Sequence, residues 1–423
     1  MFKCFALALI CLCPLQADKR ALTADDYDSW KHIQNQALSN DGHYLAYALF
    51  PQQGNGEVII RDLKTGHEMH EAAGELPPPP PPDYSNPQRE EAPPLPPGIA
   101  LKFTSDSRFL VFSTFPTHEA AAAAKRENRK PEGTPRPESV RPGSLPHGGA
   151  QHAGPYGEVV VVDLSSQMVF RAPHLKDFQL PTQANGFVAY LQMPEKPLAD
   201  EDAASGGGEK SRDQHSRGKK KVEVGELVLR DLNAGSERRF AQVSEYSLTK
   251  DGKALVYAVS ASASVVNGLY VVSPGETAPV TALLAGKGKY EKVAWDEDQT
   301  RLAFLSNQDQ AADTGSPDFK LYTWDRRALA ADEVLSDQSP GFPRGWTISS
   351  KASLAIAKGG TRIFLGTAPR RESMAASTNT PEDERVSVDL WSWRDDYIQP
   401  MQKIRAKTEH ARSYRAVYDV EAK

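Results

Sequence analysis

Two short stretches carry residue types that do chemistry when a fold presents them correctly. "HGG" at His147 to Gly149 resembles a loop that supplies oxyanion-binding amides in hydrolases. That loop needs a strand in front of it, whereas this copy sits in proline-rich coil. "GGGEKS" at Gly206 to Ser211 resembles a phosphate-cradling loop, but Glu209 stands where the last glycine belongs. It also lacks the strand before and the helix after that such a loop requires, so it reads as linker. No Gly-x-Ser-x-Gly occurs, and with it goes the strained turn that presents a serine nucleophile. His67 and His70 are three apart, which puts them on opposite faces of a strand. No cysteine or carboxylate stands at ligand spacing from them, so no metal site is expected. The residues therefore nominate no catalytic, cofactor-binding or metal-ligating position, and no cofactor.

Other residue types recur, and their recurrence is structural. Asp41, Asp106, Asp251 and Asp296 occupy equivalent turns, where a carboxylate accepts turn amides without any catalytic role. Tyr44, Tyr47, Phe109, Phe112, Tyr257, Phe304 and Phe364 fall in strand-like runs and are expected to form core. Trp295, Trp324, Trp391 and Trp393 are expected to pack in the same way.

The elements that hold these residues form a repeat. "LSNDGHYLAYALF" (Leu38 to Phe50), "FTSDSRFLVFSTF" (Phe103 to Phe115) and "SLTKDGKALVYAVS" (Ser247 to Ser260) share a polar turn followed by an alternating apolar run. A second signature belongs to the first, second and third units: "EVIIRDLKTG", "EVVVVDLSSQ" and "ELVLRDLNAG" all contain Glu-x-x-x-x-Asp-Leu. The unit is a short strand, a turn, an alternating strand, a loop, a strand ending in Asp-Leu or an aromatic, and a weaker last strand. Alternation means that one face of a strand is buried, and runs of three or four apolar residues mean that both are. Six such units follow one another, and a seventh is read as starting at "SYRAVYDV" (Ser413 to Val420). Repeated four-stranded units without helical periods predict an all-β fold, a β-propeller of six to seven blades with the last incomplete. A series of sandwiches or a solenoid is the competing arrangement.

Three insertions interrupt the units. Residues 77–97 are proline-rich, residues 117–155 begin with a helix-forming stretch over Glu119 to Asn128, and residues 195–221 are polar and glycine-rich. The second and third fall between the second and third strands of their units, so one rim of the ring carries the long loops. That rim is a candidate surface for a protein partner.

The chain has 423 residues, 50 basic against 55 acidic, for a net charge of −5. Without a basic excess, neither nucleic acid nor an anionic membrane is an expected partner. Residues 1–17 read as a signal peptide, with a positive start, a short apolar stretch and Ala17 at the cut. Export to the periplasm or beyond follows. Cys4, Cys11 and Cys13 all lie in this segment, so the remainder, 18–423, would hold no thiol. No later run is long and apolar enough to span a membrane.

Three stretches carry a resemblance to a known family. They are "LTADDYDSWKHIQNQALSNDGHYLAYAL", "FTSDSRFLVFS" leading into "AAAAAKRENRKPEG", and "VDLWSWRDDYIQPMQKIRA". Together they are similar to the N-terminal propeller of the prolyl oligopeptidase family of serine peptidases, in particular exported bacterial dipeptidyl-peptidase and acylaminoacyl-peptidase types. The resemblance implies a propeller that caps and gates peptide access to a C-terminal α/β-hydrolase domain bearing Ser, Asp and His. No triad position of that family has a match here, so this chain is expected to be inactive alone, with the hydrolase missing or separately encoded. The alternative is a stand-alone periplasmic propeller of the Tol type that binds a protein partner.

Overall fold

The computed structural model describes Thr23 and residues 30–78, 98–127, 156–194, 223–261, 267–275, 279–310, 317–370 and 392–422. The first sheet is β1 (Lys31–Leu38), β2 (Tyr44–Pro51), β3 (Asn55–Asp62) and β4 (Glu68–Glu75), hydrogen-bonded in that order. The next ten strands form one ribbon: β5 (Leu101–Phe103), β6 (Phe109–Ser113), β7 (Gly157–Asp163), β8 (Val169–Gln179), β9 (Phe187–Gln192), β10 (Gly225–Asp231), β11 (Glu237–Leu248), β12 (Leu255–Val259), β13 (Gly268–Val272) and β14 (Thr281–Ala285). A four-stranded sheet of β15 (Tyr290–Trp295), β16 (Arg301–Ser306), β17 (Lys320–Asp325) and β18 (Asp332–Leu335) follows. The last sheet holds β19 (Trp346–Ser349), β20 (Ala355–Ile356), β21 (Arg362–Pro369) and β22 (Tyr414–Asp419). Every pairing between these strands is antiparallel.

The ribbon is three blades in one. β8 pairs with β7 through Val169 to Leu175, then with β9 through Leu175 to Gln179. β11 is likewise shared, pairing with β10 up to Val243 and with β12 beyond it. At each hand-over sits a residue with positive φ, His174 (φ 58) or Gln242 (φ 57). Each long strand therefore bends from the outer edge of one blade to the inner edge of the next. That yields six blades: β1–β4; β5–β7 with the first half of β8; its second half with β9, β10 and the start of β11; the rest of β11 with β12–β14; β15–β18; and β19–β22.

Five buried clusters join these blades in succession. Ala46, Phe50, Val58 and Ile60 of the first meet Leu110, Phe112, Val160 and Val162 of the second. Phe109, Val111 and Val161 then meet Val188, Tyr190 and Val228 of the third. Leu191 and Leu229 meet Leu255 and Tyr257. Val256 and Leu269 meet Phe304 and Tyr322. Leu305 and Leu321 meet Ile348, Ile363 and Leu365. Neighbouring residues of one strand thus point into different interfaces, which is why "FLVFS" has no polar position until its end. Radial stacking of small antiparallel sheets is a β-propeller.

The sixth blade corrects the repeat count. "YRAVYD" does not open a seventh unit. It is β22, the third strand of the sixth blade, paired with β21 from Arg362↔Asp419 to Thr367↔Tyr414. β19 and β20 both pair with β21 along the same edge, at Trp346 to Ser349 and Ala355 to Ile356, and together form the inner strand. Trp393 is a second correction: it is 84% exposed, not packed. Trp324 is buried and Trp295 packs edge-on against it, while Trp391 lies outside the described residues. Residues 1–17, 128–155 and 195–222, with the "HGG" and "GGGEKS" stretches, lie outside them too.

Candidate binding site on the loop rim

The two rims of the propeller are built differently. On the turn rim, the recurring aspartates cap amides as expected. Asp41 accepts from the Ser39 hydroxyl (2.6 Å) and the His43 amide (3.0 Å). Asp251 accepts from the Thr249 hydroxyl (2.6 Å) and the Lys253 amide (3.1 Å). A second series ends the third strands: Asp62, Asp163, Asp231, Asp325 and Asp419 each accept two amides of the turn that follows.

The turns are also linked to one another. Asn40 donates to the Ser105 carbonyl (3.0 Å), and Ser105 to that of Ala184 (2.8 Å). The Gln183 amide donates to the Lys250 carbonyl (2.8 Å), and Lys250 Nζ to the Glu297 carbonyl (2.8 Å). Arg301 donates to the Gly360 carbonyl (2.8 Å). The chain of bonds runs through all six blades. Burial alone would raise the Asp163 and Asp251 carboxyls, but hydrogen bonds outweigh it and hold both down at about 2. For Asp251 the strongest of these comes from Arg326 of the fifth blade, 2.8 Å away. This rim is scaffold.

The loop rim holds a cavity of about 730 Å³. Its walls come from three blades: the end of β4 with Leu76 to Pro78, the segment Ser113 to Pro116 after β6, and Leu175 to Phe178 of β8. Two glycines permit that convergence. Gly74 has φ 75, and a Cβ there would lie 1.9 Å from the Phe115 carbonyl oxygen. A Cβ on Gly157 would lie 1.7 Å from that of Thr114. With no side chain in the way, the Phe115 amide bonds to the Ala73 carbonyl (2.8 Å) and the Glu75 amide to that of Pro116 (2.9 Å). The first blade is thereby laced to the segment that leaves the second.

That segment enters α1 (His118–Glu127). Thr117 Oγ1 caps its start by accepting the Ala120 amide at 3.2 Å, and a run of alanines then favours helix. His118 sits 3.0 Å from Glu75, and its amide donates to Asn55 at 2.8 Å, so the helix is fixed against the first blade. Ala121 and Ala124, one helical turn apart, line the cavity, and their small side chains leave it open. The sequence reading places a helix here over nearly the same residues, although it gave no sign of a cavity beneath.

The lining is mostly apolar, from Leu76, Phe115, Pro116, Tyr156, Leu175 and Phe178, with the carboxylates of Glu75 and Asp177 and with Lys176 among them. Burial raises the Tyr156 hydroxyl pKa, and the nearby Glu223 charge adds to that. The cavity's two aliphatic hydroxyls are already engaged with backbone. Ser113 accepts the Ala100 amide at 3.1 Å, and Thr114 accepts that of Glu158 at 2.9 Å. The arrangement suits an apolar guest held by shape, with no activated nucleophile.

A smaller cavity of about 290 Å³ lies where inner strands β11 and β15 meet, lined by Ser244, Glu245, Ser260 and Tyr290 to Lys292. Burial raises the Glu245 carboxyl pKa. It nevertheless accepts the amides of Lys292 and Val293, each at 3.0 Å, and so joins the fourth blade to the fifth. Sequence reasoning missed Glu245 because its partners lie 47 and 48 residues away.

His70 also departs from expectation. Across the sheet it meets Glu57 at 3.0 Å, and Glu68 of its own strand lies at 3.7 Å. Linear spacing could not reveal the Glu57 contact. Among the described residues no three His, Cys, Asp or Glu side chains are grouped to hold a metal ion, and no helix is long and apolar enough to cross a membrane.

No family model matches the sequence, and no curated protein does. Solved structures do. The chain is similar to peptidase propellers. Acylaminoacyl peptidase from Pyrococcus horikoshii matches at 11% identity and a TM-score of 0.33, over 81% of this chain and 43% of that one. The β-propeller domain of the Trilobed protease from Pyrococcus furiosus matches at 10% identity and 0.34, over 81% of this chain and 79% of that domain. An oligogalacturonate lyase matches at 12% and 0.34, over 78% and 69%. The chain thus spans less than half the length of the acylaminoacyl peptidase.

Proposed function

We propose that this chain is the non-catalytic propeller of a serine-type peptidase of the prolyl oligopeptidase kind. In this reading its loop rim faces a hydrolase unit and controls which peptides reach it. The observation that carries the reading is the concentration of unlike features on that one rim. The three-blade cavity opens there, and so does the connector from β21 to β22. The described part of that connector, residues 392–413, includes most of the stretch that resembles the family, and it contains α2 (Gln399–His410). Its apolar side chains face solvent: Trp393 is 84% exposed, Ile398 70% and Tyr397 44%. Apolar side chains on a connector are suited to contact with a second domain. Export through residues 1–17 belongs to the same proposal.

The purified chain is expected neither to hydrolyse aminoacyl or dipeptidyl chromogenic substrates nor to be labelled by a serine-directed fluorophosphonate. Joined ahead of a hydrolase domain of this family, it is expected to lower kcat/KM for long peptides while sparing dipeptide-sized substrates. Equal rates for long and short peptides would overturn the gating role. Labelling of the chain alone would overturn its non-catalytic character.

A further inference from the structure

The joint between the fourth and fifth blades holds two buried hydroxyls that lack bonds. There β14 passes to β15 through Gly286 to Lys289. On β15, Tyr290 is 1% exposed, and its cross-strand partner on β16, Ser306, is fully buried. Tyr290 packs with Val256 and Leu269 of the fourth blade, and a residue directly opposite it shares that face. Neither hydroxyl has a hydrogen-bond partner among the described residues. They are neighbours all the same. Burial raises the Tyr290 hydroxyl pKa, and Ser306 beside it draws it partly back. Leaving a buried hydroxyl unbonded is costly, and two side by side call for a shared partner.

A third group faces the same place. A Cβ on Gly286 would lie 3.2 Å from the Tyr290 hydroxyl and 2.8 Å from the Gln308 carbonyl oxygen. Gly286 is not among the glycines with positive φ, so close approach rather than backbone angle calls for glycine. The Gln308 oxygen accepts the Lys287 amide at 3.1 Å, which leaves one of its lone pairs open. The hydroxyl and the carbonyl thus flank one spot, near enough for a molecule that bonds at about 2.8 Å to touch both.

We propose that a single buried water bridges the Tyr290 hydroxyl, the Ser306 hydroxyl and the Gln308 carbonyl, beneath the connector at Gly286. The chemistry selects water. The site offers two hydroxyls, each able to donate or accept, and one carbonyl that only accepts, so its guest must both donate and accept. None of the three groups is ionised, so no ion is called for. Three polar partners are the usual number for a buried water.

In urea unfolding of the full chain, Tyr290→Phe is expected to show a folding constant about fivefold below the parent, because the water loses one of its partners. A hydroxyl that truly lacks a partner predicts the reverse. Its removal would raise stability or leave it unchanged, and that result would overturn the proposal. A direct bond between Tyr290 and Ser306 would also lower stability, so a second measurement separates the two. Oxygen-17 relaxation dispersion counts the long-lived internal waters of a protein in solution. Replacing both residues, Tyr290→Phe with Ser306→Ala, is expected to lower that count by one. An unchanged count would mean that the hydroxyls bond to each other and would overturn the proposal. Gly286→Ala keeps both hydroxyls but intrudes on the water's place, and it is expected to lower the count by one as well. A water that survives this substitution would lie elsewhere, which again overturns the site assigned here.

Discussion

The second blade and the first are written in the same alternating pattern, yet the structure treats them differently. In β6, Phe109, Leu110, Val111 and Phe112 are all buried. In β2, Ala46, Ala48 and Phe50 are buried while Tyr44, Leu45, Tyr47 and Leu49 stay partly open. Paired across the sheet, Ile33 lies beside Leu49 and Leu38 beside Leu45, and these two are 62% and 58% exposed. The outer part of that open face carries Lys31, Glu57, His70, Glu68 and Arg61 in mutual contact. Such exposed pairs contribute little to stability. What separates the two blades is therefore the presence of a neighbour. An alternating strand becomes core only where another sheet meets each of its faces.

Three measurements would break or sharpen that contrast. The largest effect is expected from Phe112→Ala, which should cost about 3–5 kcal/mol in urea unfolding, against about 0.5 kcal/mol or less for Ile33→Ala. Equal costs would mean that the first blade's open face is covered in solution. A smaller effect is expected at the junction of the fourth and fifth blades. Glu245→Ala leaves the Lys292 and Val293 amides without their acceptor and should cost about 2 kcal/mol.

Glu245→Gln keeps only one of the two acceptors, because its amide nitrogen cannot accept the second backbone N–H, and its deficit against the parent should shrink as pH rises. The sign follows from burial. A carboxyl whose pKa is raised by folding resists ionisation, so the parent loses stability as pH rises past its unfolded value, and the glutamine variant does not. A thermal melt series from acid to neutral pH checks this. The smallest effect belongs to Asp251, where removal of the carboxylate should cost about 1 kcal/mol after solvent screening. Its pKa is held at about 2, so this contribution is complete above the unfolded value of about 4. It fades as pH falls toward 2. The gap in melting temperature between parent and Asp251→Ala should close over that window. Asp41→Ala should show less, because Asp41 is more exposed than Asp251 and has His43 at 3.1 Å in place of the two-pronged Arg326.

The sequence made the blades legible because turn and strand chemistry are local. Asp-Gly supplies the turn, alternation supplies the strand, and both lie within a dozen residues. The sixth blade was misread for the opposite reason. β21 and β22 pair residue for residue, but Pro369 and Tyr414 bracket a connector containing α2. Loop closure grows only slowly more costly with length, so distance along the chain did not forbid the pairing and gave no sign of it. The cavity was hidden likewise, since residues near 76, 115 and 177 share no spacing rule. Trp393 misled through its type, because an indole usually marks core. Here it stands on a connector.

The shared strands β8 and β11 have a mechanical meaning. The second, third and fourth blades are one hydrogen-bonded ribbon without a seam, whereas connectors join the first to the second, the fourth to the fifth and the fifth to the sixth. A pull on the two ends of the chain would load those three seams first. Residues 101–285 would part last, the toughest link in a molecule that otherwise comes apart blade by blade.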